Sequence, residues 1–519
     1  MVLVTQATRG TGMKKLLIGM VVASALTSGV HAATFNVTRT DDPVPDGCTV
    51  NDCSLREAVI AADQTITKDF IVLPAGTHLI DLSGSDSSEN VGDLDISTDM
   101  EFVGAPSAID GQNLGRIMDI SSDANVTLRD LTLQNANTSL ATNGSLNGGA
   151  IEIGGGSLTL DTITLEDNST QSLGGAVYAF DDAVVIIENC SFINNRAGDG
   201  AGVFASTGIT VRDTLFQNNR ADLNALGNGA VYLSGTSSDA LFEDVTFDNN
   251  LSTGPGGAIQ FLGRNLLIDG LIATSNKSTN RSGGVISVPG TAHVKQVEIV
   301  NALFESNMAE DSGGAMTFAD DDDVLDISHS SFVSNTAGED GGALYLTGGM
   351  VNLTNNTFSG NQATDDGGGI YMFGAVLTAT HVTFSGNQAS TGNDLAMSSL
   401  SSNSVVLANN LFDGNCFIGD TNLLTSLGGN VEGNGNTCDL DFGSDLVNQS
   451  DVQLGLLPLA NNPGGTPTHK LTAASVARGQ GEMAICSQVG VDQLYENRGM
   501  CNSGADESDT IFHDGFESN

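Results

Sequence analysis

Two short motifs recur in phase through the middle of the chain, and they limit its fold more than any other feature. Phe-x-x-Asn stands at Phe192/Asn195, Phe216/Asn219, Phe247/Asn250, Phe304/Asn307, Phe332/Asn335, Phe358/Asn361, Phe384/Asn387 and Phe412/Asn415. Leu165/Asn168 opens the series and Ala273/Asn276 fills the gap after Phe247, so successive members lie 24 to 31 residues apart. Gly-Gly-Ala followed by an aliphatic residue interleaves at Gly148, Gly174, Gly256, Gly313 and Gly341, with degenerate forms at Gly200, Asn228, Gly283 and Gly367. Alternating runs such as Ala183 to Glu188 and Val351 to Thr354 link the motifs and read as strands. Three short strands and three turns use about two dozen residues, one coil of a parallel β-helix whose coils stack ~4.8 Å apart. Equal positions in successive coils then form columns. The Phe column predicts an internal ring stack, each ring contributing ~1.5–3 kcal/mol by burial. The Asn column predicts an amide ladder from coil to coil, Asn also tolerating a left-handed turn, and the Gly pair predicts a tight turn. Helical repeat signatures are absent, and Gly at 64 of 519 residues disfavours helices.

Phe-x-x-Asn alternating with Gly-Gly-Ala-Ile over about 150–415 resembles the repeats of polymorphic outer-membrane-protein and pectin-lyase-like β-helices. Cys48-Thr-Val-Asn-Asp-Cys53-Ser54-Leu55-Arg56-Glu57-Ala58 resembles the CSLREA domain that heads many exported β-helical surface proteins. Ser54 with Glu57 fits a capping box, so a short helix is expected to plug the N-terminal end. Pro458 to Leu471, with Cys486, Asp492-Gln493 and Cys501 to Glu507, is similar to the choice-of-anchor (type Q) domain. It departs from that pattern at Val476 and at Leu494-Tyr495. The fold class expected is all-β: a right-handed parallel β-helix, a pectin-lyase-like solenoid with N- and C-terminal caps. The organisation expected is a signal peptide at 1–32 with Met13 as the true start, a CSLREA cap and first coils at 33–110, repeats at 111–415, a capping, anchor-like region at 416–508, and a terminal tag at 509–519.

The leader reading rests on Lys14-Lys15, the apolar run Leu16 to Leu26 and the small-residue site Val30-His31-Ala32. No later segment reaches the ~20 apolar residues of a membrane-spanning helix. Export implies an oxidising compartment, so the near-neighbour disulfides Cys48 with Cys53, Cys416 with Cys438 and Cys486 with Cys501 are expected, with Cys190 left as a buried thiol. The formal charge of −44 comes from scarce bases, Lys+Arg 18 against Asp+Glu 62. That excludes nucleic acid as a partner, since phosphate binding needs clustered Lys and Arg.

Several residues invite a chemical role. Glu310-Asp311, Glu339-Asp340, Asp365-Asp366 and then Asp394 are read as standing just before the Gly turn, with Asp199 in the related place of an earlier coil. In register, these carboxylates stack ~5 Å apart and repel. Asp311, Asp340 and Asp366 are therefore a candidate Ca²⁺ site, the only cofactor the sequence suggests; the other reading is a solvated edge that blocks lateral aggregation. Asp320 to Asp323 reads as a surface loop. His329 and His381 occupy the slot held elsewhere by Asn189, Asp213, Asp244, Asn301, Asn355 and Asn409, a structural polar turn. Arg196 and Arg220 are expected to pair locally with Asp199 and Asp222.

No Lys or Arg lies between Gln296 and His469, which argues against a uronate lyase needing a base and charge-neutralising cations. The function expected is therefore an exported bacterial surface or secreted scaffold, adhesin-like or glycan-contacting, monomeric and without catalysis. Its partner would be a glycan or a host or neighbouring cell surface. The alternative is a carbohydrate-active enzyme, a polysaccharide lyase or a two-carboxylate glycoside hydrolase, with wall loops near 222–240 and 277–295.

Overall fold

The computed structural model describes residues 32–82, 91–121, 123–140, 145–400, 402–463 and 465–507. The leader up to residue 31 and the tag at 509–519 lie outside the described residues. Between Thr34 and Glu432 the described chain winds into a right-handed parallel β-helix. One coil shows the pattern. Val177–Phe180 lies on a first face, Val184–Glu188 on a second, Ser191–Ile193 on a third, and Arg196–Ala197 makes a two-residue ladder before the next Gly turn. The first face is a 13-stranded sheet. The second and third faces join in one 27-stranded sheet, because Met100–Asp110 and Asn125–Gln134 run unbroken round the corner between them. In later coils a left-handed residue sharpens that corner: Asn189, Asp213, Asp244, Asn301, His329, Asn355, His381 and Asn409 all have φ between 46° and 57°.

The phase of the motifs follows from the stacking. Phe192, Phe216 and Phe247 form one ring stack with centroids 4.6 and 4.7 Å apart. Phe304, Phe332, Phe358, Phe384 and Phe412 form a second, at 4.7 to 5.1 Å. Ala273 separates them, in register with Phe247 and Phe304.

The Asn column is a continuous network from Asn168 to Asn387. Its first steps run from Asn168 to Asn195, from Asn195 to Asn219, from Asn219 to Asn250 and from Asn250 to Asn276, with amide contacts of 2.9 to 3.1 Å. In each step, illustrated by Asn335, the side-chain amide donates to the carbonyl of Phe304 and to Oδ1 of Asn361, while the backbone N–H donates to the same Oδ1. Two expectations for this column are corrected. The ladder Asn does not take the left-handed turn. Asn195, Asn219 and Asn250 lie in ordinary backbone conformations, and the residues just before them, Asn194, Asn218 and Asn249, carry the positive φ of 54° to 58°. The physical reason is a division of roles: the exposed bend turns the chain, so that the next side chain is aimed into the stack and buried. Asn415, in turn, stands outside the ladder. Its Oδ1 accepts from Asn393, and the ladder stops where Asn387 donates to Asp394.

The two glycines of each pair serve different needs. The first has positive φ, as at Gly341 (65°). The second meets the next coil, and a Cβ on Gly342 would overlap the carbonyl of Gly368.

Both ends are closed. At the start, Ser54 caps the helix Leu55–Ala62 in a reciprocal box with Glu57, which also binds the N–H groups of Asp46 and Gly47. Arg56 is 1% exposed and forks onto Asp42 at 2.8 and 2.9 Å. At the far end Cys438 and Leu440 join the core below the last coils. The stretch from Leu456 to Glu507 then turns back and lies along the flank of earlier coils. It reaches Ser331 through Pro467, Thr357 through Gln493, Ser359 through His469 and Thr383 through Ala505. This strap explains why third-face strands that alternate in burial upstream, such as Ser191–Ile193, are buried throughout at Ser331–Val333 and Thr357–Ser359. Disulfides join Cys48 to Cys53, Cys416 to Cys438, and Cys486 to Cys501 within the strap.

Candidate functional site

The acidic turns stack as one edge of the first face, tied by backbone bonds from Glu339 N–H to the Asp311 carbonyl and from Gly341 N–H to the Asp366 carbonyl. The Asp340 carboxylate accepts the Asp366 N–H at 3.1 Å. Burial raises its pKa, and Asp366, Asp365 and Glu339 add to the rise by repulsion. Asp311, Asp340 and Asp366 thus sit one per coil, and among the described residues no group of three His, Cys, Asp or Glu side chains is placed to hold a metal ion. Asp199 accepts from both nitrogens of Asn228, at 3.0 and 2.6 Å.

Two acids depart from the sequence reading. Asp394 is not on this edge. It takes the third place of the Gly turn, after the positive-φ Gly392, and so points inward. There it receives Asn387 Nδ2 at 2.9 Å and Gly414 N–H at 2.6 Å, and burial pushes its pKa up to about 7. Asp323 is not a surface residue. It and Lys295 are both fully buried and pair at 2.9 Å, because an inward-facing turn position in each of two successive coils carries opposite charge. Parts of the expected wall loops are tied to adjacent coils. Thr291 N–H binds Asp320, His293 binds the Gly263 carbonyl, and Gly227 N–H binds Thr253. Arg196 and Arg220 share Asp222, at 2.6 and 2.8 Å. Cys190 donates to the Glu188 carbonyl, and burial pushes its thiol up to about 12.

The first face carries the arrangement that the sequence reading missed. Its outward central residues form one in-register column: Asp95, Asp119, Glu152, Tyr178, Phe204, Tyr232, Gln260, Ser287, Thr317, Tyr345, Tyr371, Ala396 and Phe417. Four of the chain's 5 tyrosines stand here. The signal was present in the sequence, since each follows the first residue of a Gly-type turn by four positions. Tyr345 and Tyr371 stack with centroids 5.6 Å apart and planes 7° apart. Tyr178 touches Phe180 and Phe204, and Phe204 meets Tyr232 edge-on. Burial raises the pKa of all four phenols, and neighbouring carboxylates add to it: Glu152 and Asp181 at Tyr178, Asp199 at Tyr232, Asp340 and Glu339 at Tyr345. Tyr371, beside Asp340 and Asp366, is pushed up to about 12. At the N-terminal end of the column the buried Arg116 binds Asp93 at 2.8 Å and Asp119 at 3.2 Å, and also pairs with Glu152.

Residues 119–319 match the model of a right-handed β-helix region, and residues 357–372 match the Chlamydia polymorphic membrane protein repeat. The probable outer membrane protein pmp7 of Chlamydia pneumoniae is 30% identical over 176 residues, 30% of this chain and 18% of that protein. The probable outer membrane protein PmpD of Chlamydia trachomatis serovar D is 29% identical over 165 residues, 29% of this chain and 11% of that protein. The chain therefore spans less than a fifth of the length of these curated relatives. Among solved structures, a PL6 alginate lyase in complex with a trisaccharide aligns with a TM-score of 0.41 at 11% identity, over 85% of this chain and 92% of that one. The catalytic domain of a GH87 α-1,3-glucanase in complex with nigerose aligns at 0.34 and 12%, over 70% and 68%. Likeness at that level carries no argument about activity. The chain is a right-handed parallel β-helix whose repeats are similar to those of the polymorphic outer-membrane proteins of Chlamydia.

Proposed function

We propose that this protein is an adhesin-like scaffold that presents the flanks of a rigid β-helix to glycans or cell surfaces and catalyses no reaction. It acts at the outer cell surface, where its relatives are named as outer membrane proteins. The observation that supports the scaffold reading is the distribution of its polar groups. Acids, phenols and other polar groups are strung out over many coils of the first face and its turn edge rather than gathered at one point, and the Asp199 and Asp340 carboxylates bond to the neighbouring coil. A repeated surface of that kind suits extended contact, whereas hydrolysis or elimination needs a few groups converging on one bond.

Adhesion of beads coated with the purified chain to cultured cells tests the reading. Retention well above albumin-coated beads is expected, and retention equal to albumin would sink it. A parallel screen of neutral and acidic glycans for product release addresses catalysis. Reproducible release that one acid-to-amide replacement abolishes would overturn the scaffold reading.

A further inference from the structure

Lys295 and Asp323 stand apart from the other buried charges of the rod. Both side chains are fully buried, and Lys295 is the only lysine so placed among the described residues. Its Nζ lies 2.9 Å from Asp323 Oδ2 and has no other hydrogen-bond partner among them. An ammonium carries three donors, so two go unmet. The buried arginines are saturated instead. Arg56 makes four bonds, to Asp42 and to the carbonyls of Gly92 and Asp93. Arg498 spreads over Asn355, Glu507 and the carbonyls of Val491, Gly504 and Ala505. An amide linking Lys295 to Asp323 would carry one N–H in place of three and no charge, which removes the mismatch.

We propose that Lys295 and Asp323 are joined by an isopeptide bond, formed within the folded chain with loss of one water, that ties two successive coils together. The step needs no cofactor and no oxidant. A proton passes from Nζ to Oδ2 along their hydrogen bond, leaving an amine beside a carboxylic acid. The amine lone pair attacks Cγ, and Oδ1 takes the charge of the tetrahedral intermediate. The Lys295 backbone N–H, already 2.7 Å from Oδ1, is placed to stabilise that charge. A second proton moves from the nitrogen to Oδ2. The Cγ–Oδ2 bond then breaks, Oδ2 leaves as water, and Oδ1 regains its double bond.

Both reactants are held for this step. Thr291 N–H binds Asp320 at 2.9 Å and His293 binds the Gly263 carbonyl at 3.1 Å, which fixes the loop leading into Lys295 from the coils on both sides. Val324 N–H binds the Lys295 carbonyl at 3.0 Å, which sets the register of the two residues. On the side of the next coil, the buried ring of Phe318 and the Asp323 carbonyl both crowd Gly349, where a Cβ would come within 2.6 and 2.9 Å of them. That closure keeps bulk water from hydrolysing the product. The bond would close a loop between residues 28 apart and stop these coils from separating under load. It concerns how the rod holds together and is independent of the adhesion reading.

Mass spectrometry of the full folded chain, with its disulfides reduced, tests this. A mass about 18 Da below that of the polypeptide is expected, one water lost. Trypsin gives a separate readout, because it cuts after a lysine only where the amine is free. Arg281 and Lys470 are the flanking sites, so the linked chain should yield one peptide from 282 to 470. Glu-C protease, which cuts at Glu298, Glu305 and Glu310, should release a branched pair containing Lys295 and Asp323. Lys295→Met and Asp323→Ala should each lack the deficit and the branch. An unmodified mass in the folded parent, with a clean tryptic cut after Lys295, would show an ion pair only and overturn the proposal. A deficit that persists in either variant, or a branch at other residues, would overturn it as well. The parent's own peptide map decides even where a variant fails to fold. None of these results bears on bead adhesion, so the scaffold reading stands or falls separately.

Discussion

Among single residues, the ladder positions bear the highest cost of change. Asn335 donates to the Phe304 carbonyl and to Asn361, and its own Oδ1 accepts two bonds from Asn307. Replacement by Ala leaves buried partners on both adjacent coils unpaired. A loss of about 3 kcal/mol is expected, measurable by urea unfolding. Asp394 gives a pH signature. Its pKa in the folded chain is raised to about 7 from 3.8, so the protonated form is the one folding favours. The stability it contributes is fully present below about pH 4 and is lost as pH rises through 7. Thermal melts between those values should fall with pH, and Asp394→Asn should flatten that slope. The Phe and Asn columns were legible because a stacked coil imposes one residue type per slot. The backbone state of Asn195, Asn219 and Asn250 was not, because two adjacent asparagines offer the bend equally and only packing selects which side chain goes inward. The inward turn of Asp323 and Asp394 was hidden for a related reason: an acid beside a turn is exposed or buried depending on which residue takes the bend.

Between elements, the capped helix Leu55–Ala62 is local chemistry, and Ser54 with Glu57 announced it. The strap from Leu456 to Glu507 is the opposite case. Asn355 Nδ2 binds the carbonyl of Val491, 136 residues away, and Arg498 reaches Asn355 Oδ1 from the strap. No periodicity marks such a partner. The only trace in the sequence is the run of small outward residues Ser331, Thr357, Ser359 and Thr383, which lets a second layer come close. Three histidines lie in this interface. His329 stacks on Tyr495, His469 bonds Ser359, and His381 accepts from Asn409 beside Cys486. Burial lowers the pKa of all three, and Arg498 lowers His329 and His381 further. Stability from a depressed histidine is present above its ordinary pKa of 6.5 and is lost as pH falls below it. Asp492, raised by burial to about 6, opposes this, since its contribution is lost as pH rises. With three groups against one, amide hydrogen exchange within 456–507 is expected to accelerate between about pH 7 and pH 5, while exchange in the Phe-column strands stays slow.

For the molecule as a whole, the ends and the charge decide how the rod behaves. Arg56 and Asp42 are each buried to 1% exposure of their side chains. Arg56→Ala leaves Asp42 uncompensated and should cost about 3–5 kcal/mol. Loosening the cap also uncovers strand edges, so light scattering should show concentration-dependent association. The acidic stack predicts the response to salt. With no Lys or Arg from Gln296 to His469, repulsion along the coils is largely unrelieved. Raising NaCl from about 20 mM to 500 mM shortens the Debye length several-fold and is expected to raise the melting temperature. Calcium at equal ionic strength should do no more, since among the described residues no three acid, His or Cys side chains are placed to hold it together.

The coil itself is written in the chain. Its period, ring stack, amide ladder and glycine turns follow from nearest-neighbour stacking, which repeats the same contact each time and so appears in the sequence as a period. Three-dimensional packing alone settled which side of each turn an acid faces, where the strap lies, and that the rings of Tyr345 and Tyr371 stack on one another. Those outcomes depend on contacts between residues a coil or many coils apart, whose identities are free to vary from repeat to repeat and therefore leave no period to read.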